Sequence, residues 1–279
     1  MTRFVFLGTS GAIPSATRDT TSLAFVAPAG AILVDCGGSP VQKLRRAGIG
    51  PTTVAHVVLT HIHPDHAYGF PALVQNLLLL GRQAPLAVWS RPEHVGPLSD
   101  LLGVFRLWER PGLFPLRLTP ISLEVGAPAF GLGPFSVTTA PNDHGTMPNF
   151  AIRVDVRAEP RTAVRGEPRS GEPSGEMPEN RSVVYSSDTM PCDAVVALAR
   201  GADTLVHEAT FPQRDRGRFG AHSTAAEAGE IAARAGVRRL ILAHIEAAYH
   251  DEVVALAAEA RERFAGVVEI ARELDPYPL

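Results

Sequence analysis

The sequence predicts an α/β (α+β) protein, and three observations carry that reading. Short apolar runs such as Phe4-Val5-Phe6-Leu7, Val57-Val58-Leu59 and Leu240-Ile241-Leu242 have the length and composition of buried strands. These runs arrive in two sets, each followed by helical stretches. The residues with metal-ligand chemistry stand immediately after strands, not along helices.

Length and composition set the bounds. The 279 residues admit one large domain or two small ones. Candidate ligands are spread over both halves, so a single domain over 1–279 is expected. An apolar content of 45% supports a sizeable core, and 20% charged residues is ordinary for a globular chain. A net charge of −3 gives no global attraction to polyanions, so nucleic-acid binding would need a local basic patch. Lys43 is the only lysine among 26 basic residues, but this arginine bias runs along the whole chain and follows its Ala, Gly and Pro richness. Cys36 and Cys192 make no disulfide framework and read as small buried thiols. Met1-Thr2-Arg3 runs straight into a strand, and no stretch has the roughly 18 apolar residues of a membrane span. The expectation is a cytoplasmic protein without membrane partners.

Taken in order, Phe4–Leu7 is a strand ending in the small-residue turn Gly8-Thr9-Ser10-Gly11, with loop from Ile13 to Asp19. Ser22–Val26 and Ala31–Val34 form a hairpin around Pro28-Ala29-Gly30 and deliver Asp35. Ser39-Pro40 offers an N-cap and an N1 proline to a helix that Gly48 ends. Pro71–Leu80 is a buried helix stopped by Gly81, Leu86–Trp89 a buried strand, and Pro92–Phe105 a helix interrupted at Gly96-Pro97. The stretch 108–125 is Pro-rich packed loop or short strands. Phe135–Ala140 and Asn149–Val154 are strands on either side of Asn142-Asp143-His144-Gly145. Residues 157–180 carry four prolines among Arg, Glu, Ser and Gly, which reads as a mobile solvated loop whose arginines are offset by glutamates. Val183–Thr189 returns to strand with Asp188 at its end, and Asp203–Phe211 is a strand bearing Glu208. Gly220-Ala221-His222-Ser223-Thr224 leads into a helix with a Thr224/Glu227 capping box, closed by Gly236. Arg239–Ala243 presents His244, Asp251 caps a last helix through Phe264, and Val267–Ile270 closes the chain.

The chemistry concentrates in His61-Ile62-His63-Pro64-Asp65-His66, on the turn leaving Val57-Val58-Leu59. Along extended backbone, side chains at i and i+2 share a face, so His61 and His63 converge on one point. Pro64 re-aims the chain, and Asp65 and His66 then suit a second ion beside the first. Neutral imidazole and carboxylate are ligands for Zn²⁺ and similar first-row ions; the same set accepts Mn or Fe.

At these residues the chain resembles the metallo-β-lactamase superfamily, and more fully its ribonuclease Z-like branch. The resemblance implies a four-layer αβ/βα metallo-β-lactamase sandwich with the site at one edge of the packed sheets. It implies that His61, His63, His144 and Asp188 hold one divalent ion, and Asp65, His66, Asp188 and His244 a second. It makes Asp35 an outer residue that orients a ligating His, and Glu208 with His222 a relay that protonates the leaving oxygen, the alternative being a hydrogen bond that only ties a loop. Asp65 would orient or deprotonate the attacking water. The family's Ser-x-Arg-Tyr after the last ligand is replaced by Glu246-Ala247-Ala248-Tyr249, so its arginine is absent. The implied function is phosphodiester hydrolysis, on tRNA precursors at the 3′ trailer or on a small molecule such as a cyclic nucleotide, aryl sulfate ester or lactone, with a homodimer common in the family. A non-catalytic scaffold is disfavoured by the complete ligand set.

Overall fold

The computed structural model describes residues 2–157, 181–218 and 220–279. The first half supplies strands β1 (Arg3–Gly8), β2 (Ser22–Ala27), β3 (Gly30–Val34), β4 (Val54–Val58), β5 (Leu86–Ser90) and β6 (Leu116–Pro120). The second supplies β7 (Ala127–Leu132), β8 (Phe135–Pro141), β9 (Phe150–Val156), β10 (Arg181–Tyr185), β11 (Thr204–Glu208), β12 (Arg239–Ala243) and β13 (Val267–Ile270), and β14 (Pro276–Pro278) returns to the edge of the first sheet. The sheet orders are β14-β1-β2-β3-β4-β5-β6 and β13-β12-β11-β10-β9-β8-β7.

Each sheet is half antiparallel and half parallel. Strands β3 to β6 run parallel, as do β10 to β13, while β14, β1, β2 and β3, and likewise β7 to β10, pair antiparallel. Parallel neighbours need crossover connections, which helices provide. In the first half these are α1 (Pro40–Arg46), the single turn α2 (Pro64–Ala67), α3 (Phe70–Leu79) and α4 (Pro92–Val104); in the second, α5 (Asp193–Ala199), α6 (Ala225–Ala235) and α7 (Val253–Arg261).

The apolar residues sort into three packed layers of side chains. Phe4, Phe6, Phe25 and Ile32 of the first sheet meet Phe150, Ile152, Tyr185 and Val206 of the second. The opposite face of the first sheet, with Leu33, Val57 and Val88, packs on Leu44, Phe70, Leu73 and Leu98 of its helices. The opposite face of the second, with Val184, Leu205 and Leu240, packs on Val195, Ile231 and Leu256. Strands buried on both faces read as continuous apolar runs, which is why they stand out in the sequence. This is the four-layer αβ/βα sandwich.

Several local expectations are corrected. The helix from Pro92 to Val104 continues through Pro97, which forgoes one backbone bond to Glu93 while buried His94, Leu98 and Leu102 hold the helix to the sheet. Ser39 makes no side-chain cap to α1. Asp251 is not a cap either: it lies in a 3₁₀ turn, Ala247–Glu252, that precedes α7. Strands β7 and β14 and helix α5 carry no clear sequence signal. Pro128 and Gly131 obscure β7 and two prolines obscure β14, residues a sheet tolerates at its edges, where both strands lie. The 157–180 loop, apart from Arg157, lies outside the described residues. The capping box is present, with the Thr224 hydroxyl accepting from Glu227 N and the Glu227 carboxylate from Thr224 N. Among the described residues no helix is long and apolar enough to cross a membrane, and both cysteines are free.

Candidate metal centre

Ligands in sheets with parallel strands gather beyond the strands' carboxyl ends, and both sheets follow that rule here. Asp35 follows β3, the His61–His66 turn follows β4, Asp188 lies just past β10, Glu208 ends β11 and His244 follows β12; His144 comes from the β8–β9 connection. Three of these exits use left-handed backbone at residues with side chains: Asp35 (φ 56), Ser187 (φ 54) and His244 (φ 54). Such a conformation costs on the order of 1–3 kcal/mol per residue and persists only where the surroundings fix it. Here it swings the chain abruptly out of the strand toward the pocket. Gly37 allows the close approach beside it, since a Cβ there would lie 1.8 Å from the Asp65 carbonyl oxygen.

The site residues read from the sequence do come together. His63 Nδ1 lies 3.1 Å from His61 Nε2 and 3.1 Å from His144 Nε2. Two of the other ring nitrogens are engaged: His61 Nδ1 donates to Thr60 Oγ1 at 3.2 Å and His144 Nδ1 to the Ala221 carbonyl at 2.9 Å. Three imidazole nitrogens therefore face one point. Ligand atoms on a tetrahedral ion at the usual Zn–N distance of about 2.0–2.1 Å stand about 3.3 Å apart, so the spacing fits. Burial, with the charge of His66 next, lowers the pKa of His61 well below the usual range; burial and His144 lower that of His63. Both rings are thus kept neutral, the form that binds metal.

The second group is built on Asp188. Its Oδ2 lies 3.3 Å from His66 Nε2, 3.2 Å from His244 Nε2 and 3.8 Å from His61 Nε2, so one carboxylate stands between the two sets of rings. Asp65 Oδ2 is 3.3 Å from His66 Nε2 and 3.5 Å from His244 Nε2. Among the described residues, His66 Nε2, His244 Nε2 and Asp188 Oδ1 are buried and have no hydrogen-bond partner. Buried polar atoms are normally satisfied, and a cation among Asp65, His66, Asp188 and His244 would satisfy both imidazole nitrogens. Without it, burial would raise the Asp188 pKa and lower those of His66 and His244; the mutual attraction outweighs burial, holding Asp188 well below and both imidazoles above their usual values. Asp65 is likewise held far down, as His244 and His66 overcome its burial. The donor set fits a metal ion.

Outside the rings, Asp35 Oδ2 accepts from His66 Nδ1 at 2.9 Å, which aims Nε2 at the centre, and Asp35 also accepts from Thr60 N and Oγ1. The sequence reading missed how this carboxylate is tied to the other sheet. Ser187 Oγ is 2.8 Å from Thr60 Oγ1 and 3.1 Å from Asn149 Oδ1, and Asn149 Nδ2 donates to the Asp188 carbonyl at 2.7 Å. Buried Ser, Thr and Asn look like loop residues in a sequence; the available signal is their place next to ligands. Asp35→Asn is expected to weaken metal binding about 10–100-fold, the usual effect of removing such a carboxylate, with the fold kept; metal titration of the purified variant measures it.

Glu208 and His222 also meet. His222 Nδ1 donates to Glu208 at 3.1 and 3.2 Å. Glu208 in turn accepts from Thr189 N, from Ser223 N at 3.1 Å and from Thr210 Oγ1, whose oxygen receives His244 Nδ1 at 3.1 Å. Burial alone would lower the His222 pKa, but the charge and hydrogen bond of Glu208 push it up to about 9. In the metal-free protein the group is therefore protonated at neutral pH. A raised imidazole pKa contributes stability that is complete below the ordinary 6.5 and disappears as pH rises through about 9. In metal-free protein, the difference in Tm between the wild type and His222→Gln should accordingly shrink over that window; a difference constant with pH would count against the ion pair.

A pocket of about 400 Å³ opens over this cluster, lined by His63, Asp65, Asp188, His222, His244 and Glu246 among others. A His/Asp donor cluster at the exposed edge of a four-layer αβ/βα sandwich is the arrangement of the metallo-β-lactamase class of hydrolases. Comparison with known proteins agrees: the Beta-lactamase superfamily domain matches residues 31–245. Ribonuclease Z of Methanothermobacter thermautotrophicus is 34% identical, covering 98% of this chain and 95% of its own length. Ribonuclease Z of Methanosarcina mazei is 30% identical, covering 98% and 97%. The short form of human tRNase Z shares the fold, with a TM-score of 0.73 at 21% identity over 99% of this chain and 100% of its own. So does the metallo-β-lactamase fold protein YhfI from Bacillus subtilis, with a TM-score of 0.73 at 24% identity over 99% and 98%. The chain belongs to the β-lactamase superfamily and, within it, to the ribonuclease Z family.

Proposed function

We propose that this chain is a metal-dependent endoribonuclease that removes the 3′ trailer of tRNA precursors. The observation that carries the reading is the meeting, in one pocket, of a complete His/Asp donor set and the Glu208–His222 pair. Relatives called ribonuclease Z that match nearly end to end support RNA over the small-molecule diesters that the sequence also allowed. His61, His63, His144 and Asp188 would hold one divalent cation, and Asp65, His66, Asp188 and His244 would hold a second; Zn²⁺ suits both. When bound, such cations would supply Lewis-acid activation of water and positive charge for the phosphodiester.

The chain's own residues do the rest. Asp65 stays ionised and accepts a hydrogen bond that orients the attacking water. His222, fixed by Glu208, gives its Nε2 proton to the departing ribose oxygen. Thr210 links Glu208 to His244, so the proton donor and a ligand are held in register. No side chain forms a covalent bond to the substrate. A cytoplasmic setting accords with the free thiols.

The reading is tested by giving metal-loaded protein precursor tRNA and bis(p-nitrophenyl) phosphate in parallel while salt is varied. A single cut at the 3′ side of the discriminator nucleotide, with a rate that falls steeply with salt, is expected. Salt-independent hydrolysis of the small diester with the precursor left uncut would contradict it.

A further inference from the structure

The pocket contains one carboxylate that the proposed reaction leaves unused. Glu246 lines it together with His63, Asp65, Asp188, His222 and His244. Its backbone is fixed on three sides: Glu246 N donates to the Thr210 carbonyl at 3.0 Å, its carbonyl accepts from Tyr249 N at 2.9 Å, and the preceding Ile245 carbonyl accepts from Gly11 N at 2.9 Å. The carboxylate rests against Gly11, where an added Cβ would meet Oε2 at 2.9 Å. Among the described residues no hydrogen bond or ion pair reaches it, although Asp65, Asp188 and Glu208 are all engaged. Among the described residues no lysine or arginine lines the pocket.

A partly buried acceptor with no donor in a substrate pocket calls for a donor on the substrate. Along an RNA backbone the phosphate and ring oxygens only accept, and the single donor is the ribose 2′-hydroxyl. A carboxylate beside an anionic diester would be repelled by any other backbone group. We infer that Glu246 is a specificity-determining residue whose carboxylate accepts a hydrogen bond from the 2′-hydroxyl of a ribose flanking the scissile phosphate. This rests on the RNA-cleaving function proposed above and adds to it a reason for preferring RNA over DNA at that nucleotide.

The test is a double-mutant cycle on metal-loaded protein under single-turnover conditions. Wild type and Glu246→Ala are each given precursor tRNA with all ribose, or with one 2′-deoxy nucleotide on either side of the cut, and bis(p-nitrophenyl) phosphate alongside. At one of the two positions the 2′-deoxy change is expected to slow wild type about tenfold, as loss of one hydrogen bond to a charged group does, and to leave Glu246→Ala little affected. The variant should lose about tenfold more on all-ribose RNA than on the small diester, which has no hydroxyl. Effects of variant and deoxy substitution that multiply at both positions would overturn the assignment, as would an equal loss on RNA and the small diester with a lowered Tm. A wild type that hydrolyses the small diester and leaves every RNA intact would overturn the RNA function itself, and this inference with it.

Discussion

Asp188→Ala is expected to abolish cleavage and to leave a folded protein that no longer holds metal tightly. Asp188 is buried and stands within 3.2–3.8 Å of a ring nitrogen from His66, His244 and His61, so its loss affects both proposed cation positions at once. Removing an orienting carboxylate such as Asp35 typically costs about 10–100-fold; removing a shared ligand should cost well beyond that. The change also lifts the negative charge that holds His66 and His244 above their usual pKa values. Metal content by mass spectrometry and single-turnover cleavage measure both effects. Full metal content with activity lowered only a few-fold would show that Asp188 is no shared ligand.

His222→Ala is expected to separate metal binding from turnover. Positioned acids contribute about 10²–10⁴-fold, and that loss should appear on RNA, whose ribose oxygen departs poorly without a proton. Hydrolysis of bis(p-nitrophenyl) phosphate should fall far less, because nitrophenolate leaves unaided. Metal content should stay at the wild-type level, since the proposed ligands are other residues. Glu208→Gln should follow the same pattern more weakly: the amide still bonds the ring but gives up the charge that raises His222. If His222→Ala lost equally on both substrates, the His222–Glu208 contact would serve only to fasten the 220–224 loop.

Much of this site was legible because its residues are chemically unusual for their positions. His61, His63, Asp65 and His66 crowd one turn after a buried strand, and Asp188 and His244 follow two others; the geometry gathers them, with His144, into two adjoining groups. The continuous apolar runs of the buried strands likewise marked most of both sheets. What stayed hidden depends on contacts across the fold. Thr60, Ser187 and Asn149 join the two sheets behind the ligands, yet nothing in their spacing marks them as partners, since they meet only after the sheets pack. The left-handed turns at Asp35, Ser187 and His244 are equally silent, because sequence flags such backbone chiefly through glycine. Strands β7 and β14 draw their order from pairing at a sheet edge, not from their own propensity. The tertiary setting also sets a titration that spacing alone does not show: Glu208 lifts His222 to about 9 in the metal-free protein.

Metal stoichiometry against activity is the most direct test. Protein stripped by a chelator and dialysed would be titrated with Zn²⁺ while cleavage of precursor tRNA is followed. No cleavage without metal, and a rise that levels off at two ions per chain, is the predicted result. A stripped sample that cuts the precursor as fast as the loaded one would contradict the account at its root.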